Sequence, residues 1–295
     1  MIVEGGIDVA VLDRAVVQRW LPRLDAWLLP DAAYGVQHTW PLLYRSDGRG
    51  TFFGVFEHGE LVAHCATRAV TMIGAAGPMA VTLLGSVAVA PARRGHGLAS
   101  ATLAAAIARA REESDHVLLW AERPELYARH GFVPGRPELC AAIARLPFRG
   151  VVGGELRWAR IEDHASIHGL HERKPWRVRR TLGETSGLLT TPGLECAVLE
   201  RAGAVVAYAC CGKGADLTDH WHEMGGSDAD VGELLPAAMH MTGRIEALVL
   251  VPPYRTGLID ALGRSVVGTL AIDGPMALSF GAPLPDCWVD GLDSV

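Results

Sequence analysis

The chain has 295 residues, of which 49% are apolar and 20% are charged, so it can bury a sizeable core and is not intrinsically disordered. Its length predicts about two domains, and its formal charge of −6 argues against non-specific binding to nucleic acid. The sequence has neither a basic leader followed by an apolar segment nor an apolar run of transmembrane length; we therefore expect a soluble, cytoplasmic protein with no membrane partner.

The first half predicts a series of helices and strands. An amphipathic helix is expected near 10–28, with Asp8 or Asp13 as a possible N-cap. The further predicted elements are strands near 51–57, 60–73 and 80–90, a helix over 97–113, a strand over 116–122, a short helix over 124–130, and strands over 132–134 and 138–146 that close the unit. Because strands outnumber helices and several form hairpins, the predicted fold class is α/β (α+β), with a mixed, mostly antiparallel twisted sheet flanked by helices.

Two stretches of the first half recur in the second. The hairpin GVFEHGELVAHC (54–65) has the same design as AVLERAGAVVAYAC (197–210), about 144 positions later and with one inserted residue. The strand–helix–strand pattern of 116–135 recurs in 246–268, where Gly263 corresponds to Gly131. The chain therefore looks like two copies of one α/β unit, residues 1–150 and 151–295, joined in the Gly-rich stretch 148–156; a single large domain is the alternative.

The stretch Arg94-Gly95-His96-Gly97 lies between an apolar strand and an Ala-rich helix. Gly95 and Gly97 have no Cβ, so the backbone there can adopt a positive φ and approach a ligand closely. The first turn of the helix presents unpaired N–H groups and the positive end of the helix dipole. With Arg93 and Arg94 beside it, this turn has the features of a pyrophosphate site, although an ordinary Gly-containing turn would have the same spacing.

Two motifs of the first half, in this order, resemble the GNAT superfamily of N-acetyltransferases. The acetyl-CoA pyrophosphate loop of that family, Arg/Gln-x-x-Gly-x-Gly/Ala after a strand, reads Arg94-x-x-Gly97-x-Ala99 after LGSVAV. The second motif, LYxxxGF after a strand and a short helix, reads LYARHGF (126–132). The resemblance covers 40–146 best; LLGSVAVAP and ELYARHGFVP are also similar to the Eis-type acetyltransferases, whose substrates are not carried over.

The resemblance implies a role for particular residues. The strand before the loop would bind the pantetheine arm through the backbone of Val87, Ala88 and Val89, and an N–H near Val87 would stabilise the oxyanion. Tyr127 would protonate the departing thiolate. The amides that would hold the pyrophosphate of acetyl-CoA belong to Arg94, Gly95, His96, Gly97, Leu98, Ala99 and Ser100.

The proton acceptor for the substrate amine is less clear from the sequence. Glu122 is the candidate, because it ends the strand after the cofactor helix, where active sites of this family open. His64 and Glu57 on the hairpin are weaker candidates, and a chain of water molecules with no dedicated base is also common in the family.

The second half departs from both GNAT motifs. Its equivalent of the loop, within HWHEMGGSDADVGELL (220–235), has Gly225 and Gly226 but no arginine. Asp228 and Asp230 bring negative charge to the start of the next helix, which would repel a pyrophosphate. Ile259 stands where the first half has Tyr127. This half is therefore expected to be a degenerate GNAT-like domain without coenzyme A, as in other tandem GNAT proteins such as mycothiol synthase. It would instead form one wall of the acceptor site or stabilise the first domain.

Other residue clusters carry less weight. His164, His168 and His171 fall on one predicted helix face, but no zinc-binding spacing is present and we expect no metal. The basic segment 171–182 is expected to be a solvated helix face, with an anionic substrate or the 3′-phosphate of coenzyme A as the alternative. Lys174 and Lys213 are the only lysines among 27 basic residues, which we interpret as codon bias. The cysteines are interpreted as reduced, buried thiols (Cys65, Cys140, Cys196, Cys210, Cys211 and Cys287).

The sequence thus predicts an acetyl-CoA-dependent N-acetyltransferase that acts by direct attack of a primary amine in a ternary complex. The acceptor would be a small-molecule or peptide amine, and an aminoglycoside, polyamine, amino acid, peptide N-terminus or protein lysine all remain open. The alternative is a non-catalytic, acyl-CoA-binding regulatory protein. Nothing in the sequence indicates the oligomeric state.

Overall fold

The computed structural model describes residues 2–4, 6–147, 150–215 and 217–295, and it folds them into two mostly antiparallel β-sheets flanked by helices. The first half provides the strands β1 (Ile2–Glu4), β2 (Ile7–Leu12), β3 (Thr51–Glu57), β4 (Glu60–Gly74), β5 (Gly77–Val89), β6 (His116–Leu119), β7 (Val133–Pro134) and β8 (Glu138–Ala144). The second half provides β9 (Glu155–Trp158), β10 (Arg177–Val178), β11 (Glu195–Arg201), β12 (Ala204–Cys211), β13 (His220–Gly225), β14 (Glu246–Val251), β15 (Val266–Ile272) and β16 (Met276–Ser279). The predicted fold class is confirmed.

Helices cover the faces of both sheets. They are α1 (Arg14–Leu28), α2 (Val36–Thr39), α3 (Pro41–Tyr44), α4 (Leu98–Glu113), α5 (Pro124–Ala128), α6 (His164–Glu172), α7 (Leu182–Leu189), α8 (Asp228–Thr242) and α9 (Leu258–Leu262). Helix α4 packs on one face of the first sheet, and α1, α2 and α3 pack on the other. Helix α8 packs on the second sheet in the position that α4 has on the first. Within the described part of the chain, no helix is both long and apolar enough to cross a membrane.

The structure confirms most predicted elements of the first half and corrects its start. The predicted helix 10–28 begins only at Arg14, with Asp13 at the N-cap position but without a side-chain capping bond. The residues before it form β2, in which Asp8 lies, and β2 pairs antiparallel with β3. The β-branched residues Ile7, Val9 and Val11 favour a strand over a helix, so the residue types, and not the apolar content alone, decide this segment.

The two predicted hairpins have the same turn. Positive φ angles occur at both central residues of each turn, 51° and 81° at His58 and Gly59, and 49° and 78° at Ala202 and Gly203. This is the two-residue turn whose twist matches that of a β-ribbon. Each hairpin also has a register shift just before its turn, after Val55 and after Leu199. Corresponding residues of the two hairpins are therefore 144 positions apart both before and after the turn. The expectation of one inserted residue in the second hairpin is wrong.

The two halves exchange a strand. β8 of the first half lies in the second sheet, antiparallel to both β14 and β15. β16 of the second half lies in the first sheet, antiparallel to both β6 and β7. In each case the last strand of one repeat fills the gap between two strands of the other. The expectation that 138–146 closes the first unit is therefore wrong.

The division into units 1–150 and 151–295 remains a proposal about how the sequence is duplicated. Of the predicted linker 148–156, residues 148 and 149 lie outside the described residues, and Val152 is 82% exposed. The first sheet runs β1-β2-β3-β4-β5-β6-β16-β7, with β10 paired to β4, and the second runs β15-β8-β14-β13-β12-β11-β9. Each sheet thus depends on strands from the other half of the chain. The second sheet contains β8, and the first contains β16 and is paired to the short β10.

Candidate active site

The first sheet opens into a cleft between its two parallel strands. β5 pairs with β6 only from Val81 to Leu83, and β5 then continues to Val89 while β6 ends at Leu119. On its other side β5 remains paired to β4 as far as Val89. The edge of β5 that faces the cleft beyond Leu83 therefore has no neighbouring strand, and its backbone groups can bind an extended ligand as a strand would.

A β-bulge lies in this unpaired part of β5. The register passes from Gly85 opposite Ala66 to Ala88 opposite His64, so that Ser86 and Val87 together face a single residue of β4. Ser86 has a φ of 54°, which is rare for a residue other than glycine. His64 is fully buried beneath the bulge, with its Nδ1 3.1 Å from the carbonyl oxygen of Ser86. The bulge takes the backbone at Ser86 and Val87 out of the regular ladder.

The predicted pyrophosphate loop has the backbone that the sequence suggests. Gly95 and Gly97 have φ angles of 81° and 78°, and Gly97 occupies the N-cap position of α4. A Cβ on Gly97 would find no atom nearer than 3.9 Å, so the space above it is open. The exposed residues of the loop are Arg94, Gly95, His96, Gly97 and Ser100, whereas Ala99 is half-buried and Leu98 is anchored in the core. The unpaired amides of the first helical turn therefore face solvent.

The two arginines of the loop differ in their partners. Arg93 forms a salt bridge with Glu57 of the hairpin turn, so its charge is already balanced and it holds the loop against the sheet. Arg94 is exposed, with one long contact from Nε to the carbonyl oxygen of Val89 at 3.4 Å. Of the two, Arg94 is the cation available to a bound phosphate. The involvement of Glu57 in this salt bridge makes it a poor proton acceptor.

Tyr127 lies in the cleft on the side of α4. Pro124 starts α5, and Gly131, with a φ of 87°, ends the following turn and returns Phe132 to the ring of Tyr127, 6.1 Å between centroids. Burial raises the pKa of Tyr127 to about 12, and Cys65 and Glu122 contribute in the same direction. The hydroxyl is therefore protonated at neutral pH and can donate its hydrogen. Ser100 connects the two motifs, its Oγ lying 2.9 Å from Nε2 of His130.

The predicted proton acceptors lie in different surroundings. Glu122 is exposed just after β6 and close enough to Tyr127 for its charge to affect that residue's pKa. His64 is fully buried on the opposite face of β5, and burial lowers its pKa to about 4. A neutral His64 can accept only through Nε2, which has no hydrogen-bond partner. Of these residues, Glu122 is the one that solvent and a substrate can reach directly.

A segment of the second half reaches the same cleft from the other side. Val295 packs against the first sheet on the face opposite α4, whereas Leu292 of the preceding Gly291–Asp293 turn packs in the core of the second half. A Cβ on Gly85 would lie 2.4 Å from the carbonyl carbon of Val295. Only glycine therefore fits at position 85, two residues before Val87. Nothing local in either stretch of sequence predicts this contact.

The equivalent cleft of the second half has an arginine in its lining. β13 and β14 pair at His220 and Trp221, and Arg255 lines a cavity beside the end of β13. It donates to the carbonyl oxygens of Met224 and Gly226 at 3.2 Å and to Asp228 at 2.9 Å. The acidic residues expected to repel a phosphate are in fact neutralised, Asp228 by Arg255 and Asp230 by Arg201. The carbonyl oxygens of Met224 and Gly226 thus already accept hydrogen bonds from the protein itself.

Within the described residues, one cluster has residue types typical of metal sites. The ligand atoms of His171, Glu223 and Asp290 lie within 4.8 Å of one another. The ammonium group of Lys174 lies 2.8 Å from Asp290 Oδ2 and 3.5 Å from Glu223 Oε1, so a cation of the protein already occupies the position between these carboxylates. His164 and His168, which share the predicted helix face, do not belong to this cluster.

Comparison with known proteins agrees with this geometry. Residues 17–132, which contain the cleft, the loop and Tyr127, match the acetyltransferase (GNAT) family. No curated protein sequence is recognisably similar to the chain. The family assignment supports acyl transfer as the class of activity.

Solved structures resemble the chain well beyond the GNAT domain. A probable N-acyltransferase from Enterococcus faecalis V583 has a TM-score of 0.73 at 13% identity, covering 92% of this chain and 72% of its own. Eis1 from Mycobacterium abscessus has a TM-score of 0.62 at 17% identity over 92% and 73%. Saccharomyces cerevisiae N-myristoyltransferase, with bound myristoyl-CoA, has a TM-score of 0.58 at 15% identity over 94% and 80%. These likenesses establish the fold of both halves.

Proposed function

We propose that the protein transfers an acetyl group from acetyl-CoA to a primary amine. The observation that carries this proposal is the open edge of β5, which leads directly to a loop with two positive-φ glycines at the N-terminus of α4. An extended pantetheine arm matches the unpaired strand edge, and a pyrophosphate matches the exposed amides of Arg94 to Ser100. Both features lie in the GNAT domain.

The reaction follows from the groups around the cleft. A neutral amine attacks the thioester carbonyl, a C–N bond forms, and the carbonyl oxygen becomes an oxyanion. The N–H of Val87, which the bulge takes out of the ladder, would donate to that oxyanion. The C–S bond then breaks and coenzyme A leaves as a thiolate, which takes a proton from the Tyr127 hydroxyl, and the tyrosinate regains a proton from solvent. The proton lost by the amine goes to solvent through Glu122.

Turnover is the direct test of this function. Purified full-length protein is mixed with acetyl-CoA and, in separate reactions, a polyamine, an aminoglycoside, an amino acid and a peptide with a free N-terminus, and free thiol is measured. Both lysines of the chain are buried, so acetylation of the enzyme's own lysines adds little background. Binding of coenzyme A without thiol release for any amine would favour the non-catalytic alternative.

Glu122→Gln tests the proton acceptor. The exposed carboxylate is removed without a change in shape, so we expect the kcat/KM for the amine to fall by about 100-fold, the lower part of the range for a general base, with little change in melting temperature because the site is exposed. A kcat/KM for the amine within about twofold of the wild type would assign proton removal to water.

Gly97→Trp tests the site of the cofactor. The indole would occupy the open space above the first turn of α4, and we expect the affinity for coenzyme A to fall at least about tenfold because charge-assisted hydrogen bonds are lost. Gly203→Trp is the matched control, since Gly203 has the same φ of 78° and equally open surroundings but lies in the second hairpin. Calorimetry should find normal binding in the control. Equal affinities in the two variants, or two sites per chain, would contradict this assignment.

The second half is proposed not to bind coenzyme A. Arg255 donates to the backbone carbonyls of Met224 in β13 and of Gly226 just after it, and Ile259 in α9 takes the place of Tyr127 and packs against the core. These carbonyl groups therefore already have a donor within the protein. Calorimetry on the full-length protein should give one molecule of coenzyme A per chain.

A further inference from the structure

The two lysines of the chain form hydrogen bonds with the same segment, residues 290–294. Both are buried, Lys174 with 4% and Lys213 with 1% of its surface exposed. Lys213 donates to the carbonyl oxygens of Gly291 and Ser294 and to the Ser294 hydroxyl, at 2.6 to 2.8 Å. Lys174 donates to Asp290 at 2.8 Å. Both ammonium groups thus hold the segment 290–294. The interpretation of lysine scarcity as codon bias overlooked this.

Two buried arginines hold the same segment. Arg180 makes hydrogen bonds with Asp293 at 2.6 to 3.1 Å and with Glu223 of β13 at 2.7 and 3.0 Å. Arg68 of β4 donates to Asp293 at 3.3 Å. Because Arg68 belongs to the first sheet and Glu223 to the second, the carboxylate of Asp293 connects the two sheets. The basic segment 171–182 is therefore partly interior, and its expected assignment as a solvated helix face is wrong at Lys174 and Arg180.

Stability alone does not account for this cluster. Burying cations and carboxylates costs several kcal/mol per ion before pairing, and apolar residues of similar size often stabilise a protein as well or better. Directional hydrogen bonds, however, fix a segment in one position and orientation in a way that apolar packing does not. The position that they fix places Val295 against Gly85, on the open strand of the cleft.

We propose that Lys174, Lys213, Arg68 and Arg180 are positioning residues that hold the segment 290–295 as the acceptor-side wall of the active site. The loop and α4 occupy the side of the cleft where the cofactor would enter, so the amine has to approach the thioester from the face that carries Gly85. The segment lies on that face. The inference rests on the proposed function, because a wall for the acceptor requires a bound acyl thioester.

Lys213→Met is the decisive variant. It removes the hydrogen-bond donor that holds Gly291 and Ser294 but keeps a long side chain. Met239→Ala, in the core of α8, is a matched control that costs about 2–5 kcal/mol without touching the segment. Ser294→Ala is a milder second variant in case Lys213→Met fails to fold. All are made in the full-length chain.

Two measurements decide the proposal. Amide hydrogen exchange of residues 290–295 should become at least about tenfold faster in Lys213→Met and less so in Ser294→Ala, but stay at the wild-type rate in Met239→Ala. Thiol release from acetyl-CoA in water alone, without any amine, should rise in the same order, because a detached wall admits water to the thioester. The affinity for coenzyme A should stay within about twofold of the wild type in every variant.

The outcomes separate this proposal from the proposed function. If the wild type does not bind acetyl-CoA, the proposed function fails. If it binds and the exchange rates of 290–295 do not differ between Lys213→Met and Met239→Ala, the lysine does not hold the segment. If exchange accelerates but thiol release in water remains at the wild-type rate, the segment is held but is not a wall of the site.

Discussion

Replacing Tyr127 with phenylalanine is expected to lower kcat about 100-fold or more, with the affinity for coenzyme A nearly unchanged. The substitution removes one hydroxyl and leaves the ring against Phe132, so the packing of α5 should persist. The leaving thiolate then has to take its proton from water, which a partly buried cleft supplies poorly. Thiol release under saturating amine gives kcat, and calorimetry gives the affinity.

The pH dependence provides a second check on Tyr127. A general acid works in its protonated form, and burial raises the pKa of Tyr127 to about 12. The hydroxyl therefore keeps its proton through the whole neutral and mildly alkaline range, and kcat should show no alkaline decline from this group below about pH 11. Tyr254→Phe is the control, because Tyr254 is also largely buried but lines a cavity of the second half. If Tyr127→Phe and Tyr254→Phe have the same kcat, the proton comes from water.

The loop and both hairpins could be predicted because their signals are local. A positive φ favours glycine at Gly95 and Gly97 whatever the rest of the chain does. The turns at His58-Gly59 and Ala202-Gly203 need two consecutive positive φ angles, for which a glycine at the second position is typical. Such constraints act within a few residues, so the sequence alone carries them.

The strand exchange could not be predicted in this way. The apolar pattern of β8 indicates a buried strand, but it is equally compatible with either sheet, since both have apolar cores. Which sheet β8 joins depends on how residues 135–137 and 273–275 cross from one sheet to the other. It also depends on the gap between β14 and β15 in the second sheet and the gap between β6 and β7 in the first. These are relations between distant parts of the chain.

The buried charges were missed for a related reason. Lys174 and Arg180 look like surface residues in a basic segment, and their burial depends on Asp290 and Asp293, more than 110 positions later. A signal was nevertheless present. The two aspartates stand among Trp288, Val289 and Leu292, which are all buried, and carboxylates within an apolar run require buried cations as partners.

A fragment of residues 1–150 is expected not to form a stable domain, and to bind no coenzyme A. It contains the whole GNAT-family match and the loop, but it lacks β16, which fills the space between β6 and β7 and places Met276 and Ala277 in the core. It also leaves β8 without either of its partners. An unpaired apolar strand and an open gap in a sheet both favour aggregation. Size-exclusion chromatography and hydrogen exchange would report this directly.

A nicked full-length protein provides the matched control for that fragment. A protease site inserted after Val152, which is 82% exposed, allows the chain to be cut after it has folded, so both exchanged strands are still present. The two pieces should stay associated and should bind coenzyme A with the affinity of the intact chain, because the cut breaks no strand pairing. Co-expression of 1–150 with 151–295 should likewise restore binding. If 1–150 alone binds coenzyme A with full affinity as a monomer, the exchanged strand β16 is dispensable for the cleft. If instead the nicked halves separate without denaturant, the exchange contributes little to holding the two sheets together.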